Sequence, residues 1–169
     1  IMDIVESLVK NKLERILILN GHGGNSSILK NVGQKLKYDK KIYIATASYW
    51  DFAMNEINNW RESDLGGINH ACEMETSLML HMQEEIVKKK NIIDNPLKRS
   101  NYTGVDLLSG GTVGVSASFK ELSDHGVIGS PSLATKEKGA ELYEIITDKI
   151  SEFILDFAKW TKPLNGKNE

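Results

Sequence analysis

The feature that most constrains this chain is a short apolar run that stops at a glycine-rich loop. Residues 15–19 are Arg-Ile-Leu-Ile-Leu, and residues 20–25 (NGHGGN) follow without a break. A short apolar run ending at a glycine loop is typical of a buried parallel strand. Residues 25–27 can cap a following helix that is predicted to extend to about Tyr38. With a second predicted strand at residues 42–47, this order indicates an α/β fold with a right-handed crossover.

The segments before and after this crossover in the sequence are predicted to form further helices. Residues 3–13 have apolar positions at helical spacing. Residues 91–131 are rich in glycine, serine, asparagine and aspartate, and long irregular segments of this kind are often active-site or interface loops. The sequence therefore predicts one α/β domain over residues 1–163, with a mostly parallel sheet flanked by helices, and a flexible tail over residues 164–169. The other predicted helices cover residues 51–58, a segment from His70 or Ala71 to about Lys88, and residues 135–160.

Composition narrows the class of protein. The chain has 169 residues, of which 40% are apolar and 26% charged, which is typical of one globular domain. Its net charge of −2 argues against a general nucleic-acid binder, and its apolar runs are too short for a membrane span. The one cysteine, Cys72, cannot form an internal disulfide, and this favours a reducing cytoplasm.

The loop after the first strand is the first candidate site. Ligand sites in open α/β sheets lie at the carboxyl ends of strands, where residues 20–25 are expected. Glycines allow close backbone approach to a ligand, and a neutral imidazole such as that of His22 is the commonest metal ligand. Two alternatives stay open: a phosphate cradle, although the P-loop and dinucleotide spacings are absent, and a tight turn with a solvent-exposed histidine.

A second cluster follows at residues 70–77 (HACEMETS). His70 and Glu73 are three residues apart and share a face if both are helical, whereas Glu75 points elsewhere. The acids are equally explained by favourable interaction with a helix N-terminus, which leaves His70 without a role. Cys72 is interpreted as a small packed side chain rather than a nucleophile, because no base for it is evident.

Four stretches in order resemble the creatininase family, also called the creatinine amidohydrolase family. Each one taken alone is only moderately specific, and together they extend over nearly the whole chain. They are residues 16–25, residues 48–52 (SYWDF), His70 with residues 75–80 (ETSLML), and residues 126–131 (GVIGSP) with 134–135 and 137–139.

The resemblance implies a metal-dependent amidohydrolase with two divalent metal ions, zinc, manganese or iron, bridged by a water. It implies that His22 binds one metal. The glutamate that serves the second metal in creatininase is replaced by Gly24, so Glu73 is the candidate ligand there. His70 matches a histidine that protonates the leaving nitrogen. Trp50 matches a tryptophan near the substrate. Gly23, Gly24 and Asn25 are also expected to contact the substrate.

The departures from the family pattern bear on substrate and activity. Asn69 stands where creatininase has a glutamate, so amides other than creatinine, such as formamido-pyrimidines or peptides, fit as well. A Glu-x-His motif followed by an aspartate, which supplies further ligands in the family, does not precede His22. The chain therefore resembles the C-terminal two-thirds of a family member, with one or both metals absent and activity impaired or lost.

The resemblance also implies a homo-oligomer that acts on a small-molecule amide, while the net charge and the short apolar runs predict no nucleic-acid or membrane partner. Two other functions stay open: an inactive remnant or interaction fragment, and a phosphate- or nucleotide-binding α/β module that uses the glycine loop.

Overall fold

The computed structural model describes residues 1–98 and 102–160, which fall into two compact units. The first unit comprises Ile1–Ala53 and the part of the chain from Ile146 onwards, and the second comprises Met54–Ile145. The predicted flexible tail, residues 164–169, lies outside the described residues, and the single domain over residues 1–163 stays a prediction.

The described residues form an α/β fold. The helices are α1 (Met2–Lys10), α2 (Ser26–Lys40), α3 (Met54–Trp60), α4 (Glu73–Gln83), α5 (Phe119–Leu122) and α6 (Lys136–Phe157), and the strands are β1 (Leu17–Asn20), β2 (Ala45–Ser48), β3 (Ile68–His70) and β4 (Ile128–Gly129). The α/β class is therefore confirmed, and the strands form one parallel pair and one antiparallel pair.

In the first unit, β1 and β2 form the parallel pair, with Leu17 opposite Ala45. The helix α2 connects them, as the order of apolar and glycine-rich segments predicts. Its buried residues Leu29 and Leu36 are seven positions apart and therefore lie on one face. Leu36 packs with Val5 of α1 and with Ile16 in a buried apolar cluster. This cluster holds the strand whose carboxyl end leads into the glycine loop.

In the second unit, β3 and β4 form the antiparallel pair, in which His70 lies opposite Ile128. The prediction that a helix begins at His70 or Ala71 is wrong, because His70 belongs to β3 and α4 begins at Glu73. Ala71 has a φ of 48°, in the left-handed region, where the chain turns from strand to helix. His70 and Glu73 therefore do not share a helical face.

A buried ion pair holds the segment that leads into β3. The Arg61 Nη2 atom lies 2.8 Å from the Asp106 Oδ2 atom, and the two side chains are 7% and 0% exposed. The same oxygen accepts hydrogen bonds from the backbone N–H groups of Gly66 (3.0 Å) and Ile68 (3.3 Å). Asp106 comes from the irregular segment 91–131, so part of that segment has a structural role beneath the strand that carries His70.

The longest described helix, α6, carries charged residues along its length. Leu142 and Ile146 are buried, while Glu141 and Glu144 are exposed. Among residues 1–98 and 102–160, no helix combines the length and apolar character needed to cross a membrane.

Candidate functional site

The glycine loop is held by the side chain of Asn20, which is only 5% exposed at the end of β1. Its Nδ2 atom donates to the carbonyl oxygen of His22 (2.8 Å) and to the Ser48 hydroxyl (3.0 Å) at the end of β2. Its Oδ1 atom accepts from the His22 N–H at 3.2 Å. Because a buried amide is costly to leave without partners, these bonds favour one loop conformation. The sequence motifs do not predict this role, although a polar residue at the end of a buried strand is a visible signal of it.

The imidazole of His22 is exposed and oriented by the loop itself. Its Nδ1 atom accepts a hydrogen bond from the Gly24 N–H at 3.1 Å, at the start of the 3₁₀ turn Gly23–Asn25. A neutral imidazole that accepts at Nδ1 carries its proton on Nε2. A metal bound at Nδ1 would displace the Gly24 N–H. A metal bound at Nε2 would shift the ring proton to Nδ1, which could then no longer accept a hydrogen bond from the Gly24 N–H. Metal binding at either nitrogen therefore breaks this hydrogen bond.

Gly24 leaves little room beside the imidazole. A Cβ atom added at Gly24 would lie 3.1 Å from both Cε1 and Nδ1 of His22. Any larger residue at this position would have to shift the ring unless the loop moves. Gly23, Gly24 and Asn25 are all exposed, as their predicted contact with a substrate requires. That contact stays a prediction.

A small cavity lies at the carboxyl ends of β1 and β2. Its volume is about 30 Å³, which is enough for one water molecule. Asn20, Ser26, Ser48 and Asp51 contribute polar side chains to its lining. The Asp51 carboxylate accepts from the Ser48 N–H at 2.9 Å, which orders the turn after β2. This turn continues into Trp50.

Trp50 is only 4% exposed and lies in the 3₁₀ helix Tyr49–Ala53. Its ring makes a T-shaped contact with Tyr49, with ring centroids 4.8 Å apart. This burial is typical of an aromatic core residue. Its contact with a substrate, which follows from the family resemblance, stays a prediction.

His70 ends β3 with a partly exposed imidazole. Its ring makes a T-shaped contact with Phe119, with centroids 4.9 Å apart and planes at 70°. The next residue, Ala71, is held by α4, because its N–H donates to the Glu75 carboxylate and its carbonyl accepts from the Thr76 hydroxyl at 3.3 Å. Glu75 therefore braces the turn that follows His70, a role that helical spacing alone did not predict.

The Glu73 carboxylate is fully buried, and both oxygens already have partners. Oε1 accepts from the Glu62 N–H at 2.9 Å and forms an ion pair with Lys138, while Oε2 accepts from the Ser63 N–H at 3.0 Å. Burial alone would raise the pKa of Glu73, but Lys138 and the hydrogen bonds from Ser63 and Glu62 outweigh it and hold the pKa below its ordinary value. A metal would have to displace Lys138, so Glu73 does not fit a metal site in this arrangement. Its assignment as a ligand stays a prediction.

Lys138 connects three helices of the second unit. Its ammonium also lies 3.0 Å from the Glu62 carboxylate and 4.7 Å from the centroid of the Trp60 ring. The Trp60 indole N–H donates to the Lys138 carbonyl at 3.1 Å. Trp60 ends α3, Glu73 begins α4, and Lys138 lies near the start of α6. These contacts form a cluster, the Glu73–Lys138 anchor, that holds the helix following His70.

The Cys72 thiol is fully buried. Burial raises its pKa to about 11. Since the thiolate is the nucleophile in cysteine chemistry, this environment suits the packed role expected for Cys72.

The predicted site residues divide between the two units. His22 and Trp50 belong to the first, while His70 and Glu73 belong to the second. Within residues 1–98 and 102–160, no three His, Cys, Asp or Glu side chains form a group that could hold a metal ion. The exposed imidazole of His22 has the chemistry of a metal ligand, and it would supply one donor atom.

Comparison with known proteins identifies the family. The family model for creatininase, described as creatinine amidohydrolase, matches residues 1–154. The chain belongs to the creatininase family. It is 26% identical to the creatinine amidohydrolase of Pseudomonas putida in an alignment of 164 residues that covers 91% of this chain and 60% of that protein. It is also 26% identical to the mycofactocin precursor peptide peptidase of Mycobacterium ulcerans over 154 residues, which is 90% of this chain and 52% of that protein.

Solved structures support the same fold for this creatininase-family chain. A Bacteroides fragilis structure assigned to creatinine amidohydrolase superposes with a TM-score of 0.78 at 26% identity, covering 95% of this chain and 60% of that one. A mutant creatininase of the Zn–Zn type superposes with a TM-score of 0.66 at 24% identity, covering 92% and 60%. The chain thus spans between one half and two thirds of the length of these relatives.

Proposed function

We propose that this chain carries part of the active site of a metal-dependent amidohydrolase that hydrolyses a C–N bond in a small amide. The observation that carries the proposal is the family match over residues 1–154, a range that includes the two histidines, His22 and His70, to which the sequence resemblance gives roles. The related creatinine amidohydrolase and peptide peptidase act on different compounds, as their names state. The proposal therefore covers the hydrolysis of an amide bond and does not specify the acyl group of the substrate.

His22 is proposed as the metal ligand of the first unit. Its imidazole is exposed, and the Asn20 hydrogen bonds support the loop around it. Divalent zinc, manganese or iron, when bound, lowers the pKa of water and polarises an amide carbonyl. No Glu-x-His motif followed by an aspartate precedes His22, so the chain is expected to have impaired amide hydrolysis that remains measurable when zinc is supplied. We also propose a cytoplasmic homo-oligomer as its natural form.

His70 is proposed as the proton donor of the second unit. In the overall reaction, the water oxygen bonds to the amide carbon, the C–N bond breaks, and the departing nitrogen gains a proton. The partly exposed imidazole of His70 can donate this proton. The pairing of His70 with Ile128 and the bracing of Ala71 by Glu75 support a fixed position for the ring.

The test compares variants of two histidines in the zinc-supplemented chain. Release of amine from a panel of formyl and acetyl amides is measured for the wild type, His70→Asn and His81→Asn. His81 belongs to the same unit and also contacts an aromatic ring, Tyr143, with centroids 5.4 Å apart, so it is a matched control. We expect His70→Asn to lower kcat by about 10²–10⁴-fold, the usual contribution of a general acid, and His81→Asn to leave it unchanged.

Equal activity of His70→Asn and the wild type would contradict the assignment of His70. If the chain releases no amine and binds less than about one equivalent of zinc, the inactive remnant is favoured instead. Thermal stabilisation by inorganic phosphate in the absence of metal would favour a phosphate-binding module.

A further inference from the structure

Phe119 places an apolar surface beside the proposed proton donor. Its side chain is 49% exposed although it is a large apolar residue, and its ring centroid lies 4.9 Å from that of His70. One part of the ring therefore contacts His70, and another part faces solvent. Most exposed apolar side chains need no explanation, but this one adjoins a residue with a proposed chemical role.

The helix that carries Phe119 has a defined start. Ser118 and Glu121 form a capping box: the Ser118 hydroxyl accepts from the Glu121 N–H, and the Glu121 carboxylate accepts from the Ser118 N–H at 2.7 Å. The backbone hydrogen bond from Ser118 is the main cause that lowers the pKa of Glu121. Such a box satisfies two backbone donors of a helix start and favours one direction for the first turn.

The same helix is tied to the strands that hold His70. The Asn95 side chain donates to the carbonyl oxygens of Leu122, at 3.1 Å, and Val127, at 2.8 Å. The Asn95 backbone pairs with Gly129 of β4, and β4 pairs with β3, where His70 lies opposite Ile128. Phe119 is therefore positioned relative to His70 by a continuous set of hydrogen bonds.

We propose that Phe119 forms an apolar subsite that selects amides with a flat aromatic group on the departing nitrogen. This inference rests on the proposed function of His70. A general acid must approach the nitrogen that it protonates to about 2.6–3.2 Å. A substituent on that nitrogen then lies within a few ångströms of the His70 ring and can meet the exposed part of Phe119. Aromatic rings favour centroid separations of about 4.5–7 Å, a spacing that this arrangement permits.

The kinetic test uses two substrates with the same formyl group, 4-nitroformanilide and N-butylformamide. In the zinc-supplemented chain, Phe119→Ala is expected to lower kcat/KM for the anilide by about threefold to tenfold and to change it for the alkyl amide by less than about twofold. Tyr143→Ala is the control, because Tyr143 contacts His81 in a similar way, and it should leave the ratio unchanged. An equal loss for both substrates in Phe119→Ala would overturn the inference.

A binding measurement separates this inference from the proposed function. In the metal-free chain, formanilide should shift the NMR signal of the His70 ring in the wild type and in Tyr143→Ala but not in Phe119→Ala, and N-butylformamide should shift it in none. The inference is wrong if Phe119→Ala responds like the wild type, or if the two amides act alike. Failure of the zinc-supplemented chain to hydrolyse any amide would instead count against the proposed function, because the binding result does not depend on turnover.

Discussion

Replacing Glu73 with glutamine tests the Glu73–Lys138 anchor. Glutamine keeps the size of the side chain but removes its charge, and its NH₂ group must face either the Ser63 N–H or the donors of Glu62 and Lys138. Breaking a buried ion pair at one partner costs about 3–5 kcal/mol. Lys138 keeps its contact with the exposed Glu62 carboxylate, so we expect about 3 kcal/mol, at the lower end of that range.

The assay is thermal and urea unfolding at neutral pH. For a chain of this size, about 3 kcal/mol corresponds to a decrease in Tm of roughly 6–12 °C. Glu84→Gln is the matched control, because Glu84 also binds two lysines, Lys89 and Lys136, but its side chain is 40% exposed. Hydrogen bonds from these lysines lower the pKa of Glu84 to about 2, but solvent screens exposed ion pairs, so Glu84→Gln should lower the Tm much less than Glu73→Gln does.

The pH dependence has a defined sign. Because the folded-state pKa of Glu73 is lowered, its contribution to stability is present above its ordinary pKa of 4.5 and is lost as the pH falls through the folded-state value. The difference in unfolding free energy between the wild type and Glu73→Gln should therefore shrink below about pH 4.5.

A double variant, Glu73→Gln with Lys138→Met, should lose less free energy of unfolding than the sum of the single variants, by about 1–3 kcal/mol. A loss below about 0.5 kcal/mol for Glu73→Gln, with additive single effects, would refute the reasoning.

Three further outcomes follow from the structure. Gly24→Ala should displace the His22 ring and shift its NMR signals, because the added Cβ atom would lie 3.1 Å from Cε1 and Nδ1, and unchanged ring signals would contradict this close contact. Cys72 should react with Ellman's reagent only after unfolding, because its thiol is buried and its pKa is raised to about 11, so rapid labelling of the native chain would contradict its packed position. Asp106→Asn should destabilise the chain to urea by about 3 kcal/mol, because it leaves the buried Arg61 without its counter-charge, and a loss below about 0.5 kcal/mol would refute this role.

The elements around His22 could be predicted because local pattern determines them. The apolar run ends at the loop, and the spacing of Leu29 and Leu36 places one face of α2 in the core. The surroundings of His70 could not be predicted in this way. His70 belongs to a strand because it pairs with Ile128, which is distant in sequence. The acidic residues that follow His70 are typical of a helix start, so the sequence pattern placed the beginning of the helix too early.

The role of Glu73 depends on long-range partners for the same reason. A glutamate in the first turn of a helix is explained equally by the helix dipole, a metal or an ion pair, and the Lys138 ammonium near the start of α6 becomes visible only in the structure. The position of Phe119 beside His70 likewise depends on the β3–β4 pairing and on Asn95. Sequence motifs therefore identified the candidate residues, while their partners required the folded chain.

Zinc binding at His22 tests the central claim most directly. Bound zinc per chain is measured by equilibrium dialysis for the wild type, His22→Ala and His125→Ala, another exposed histidine, with the Gly24 amide followed by NMR. We predict more bound zinc in the wild type and in His125→Ala than in His22→Ala, and a shift of the Gly24 amide in the wild type as its 3.1 Å hydrogen bond to His22 breaks. Unchanged zinc content in His22→Ala, with no shift of the Gly24 amide in the wild type, would contradict the account.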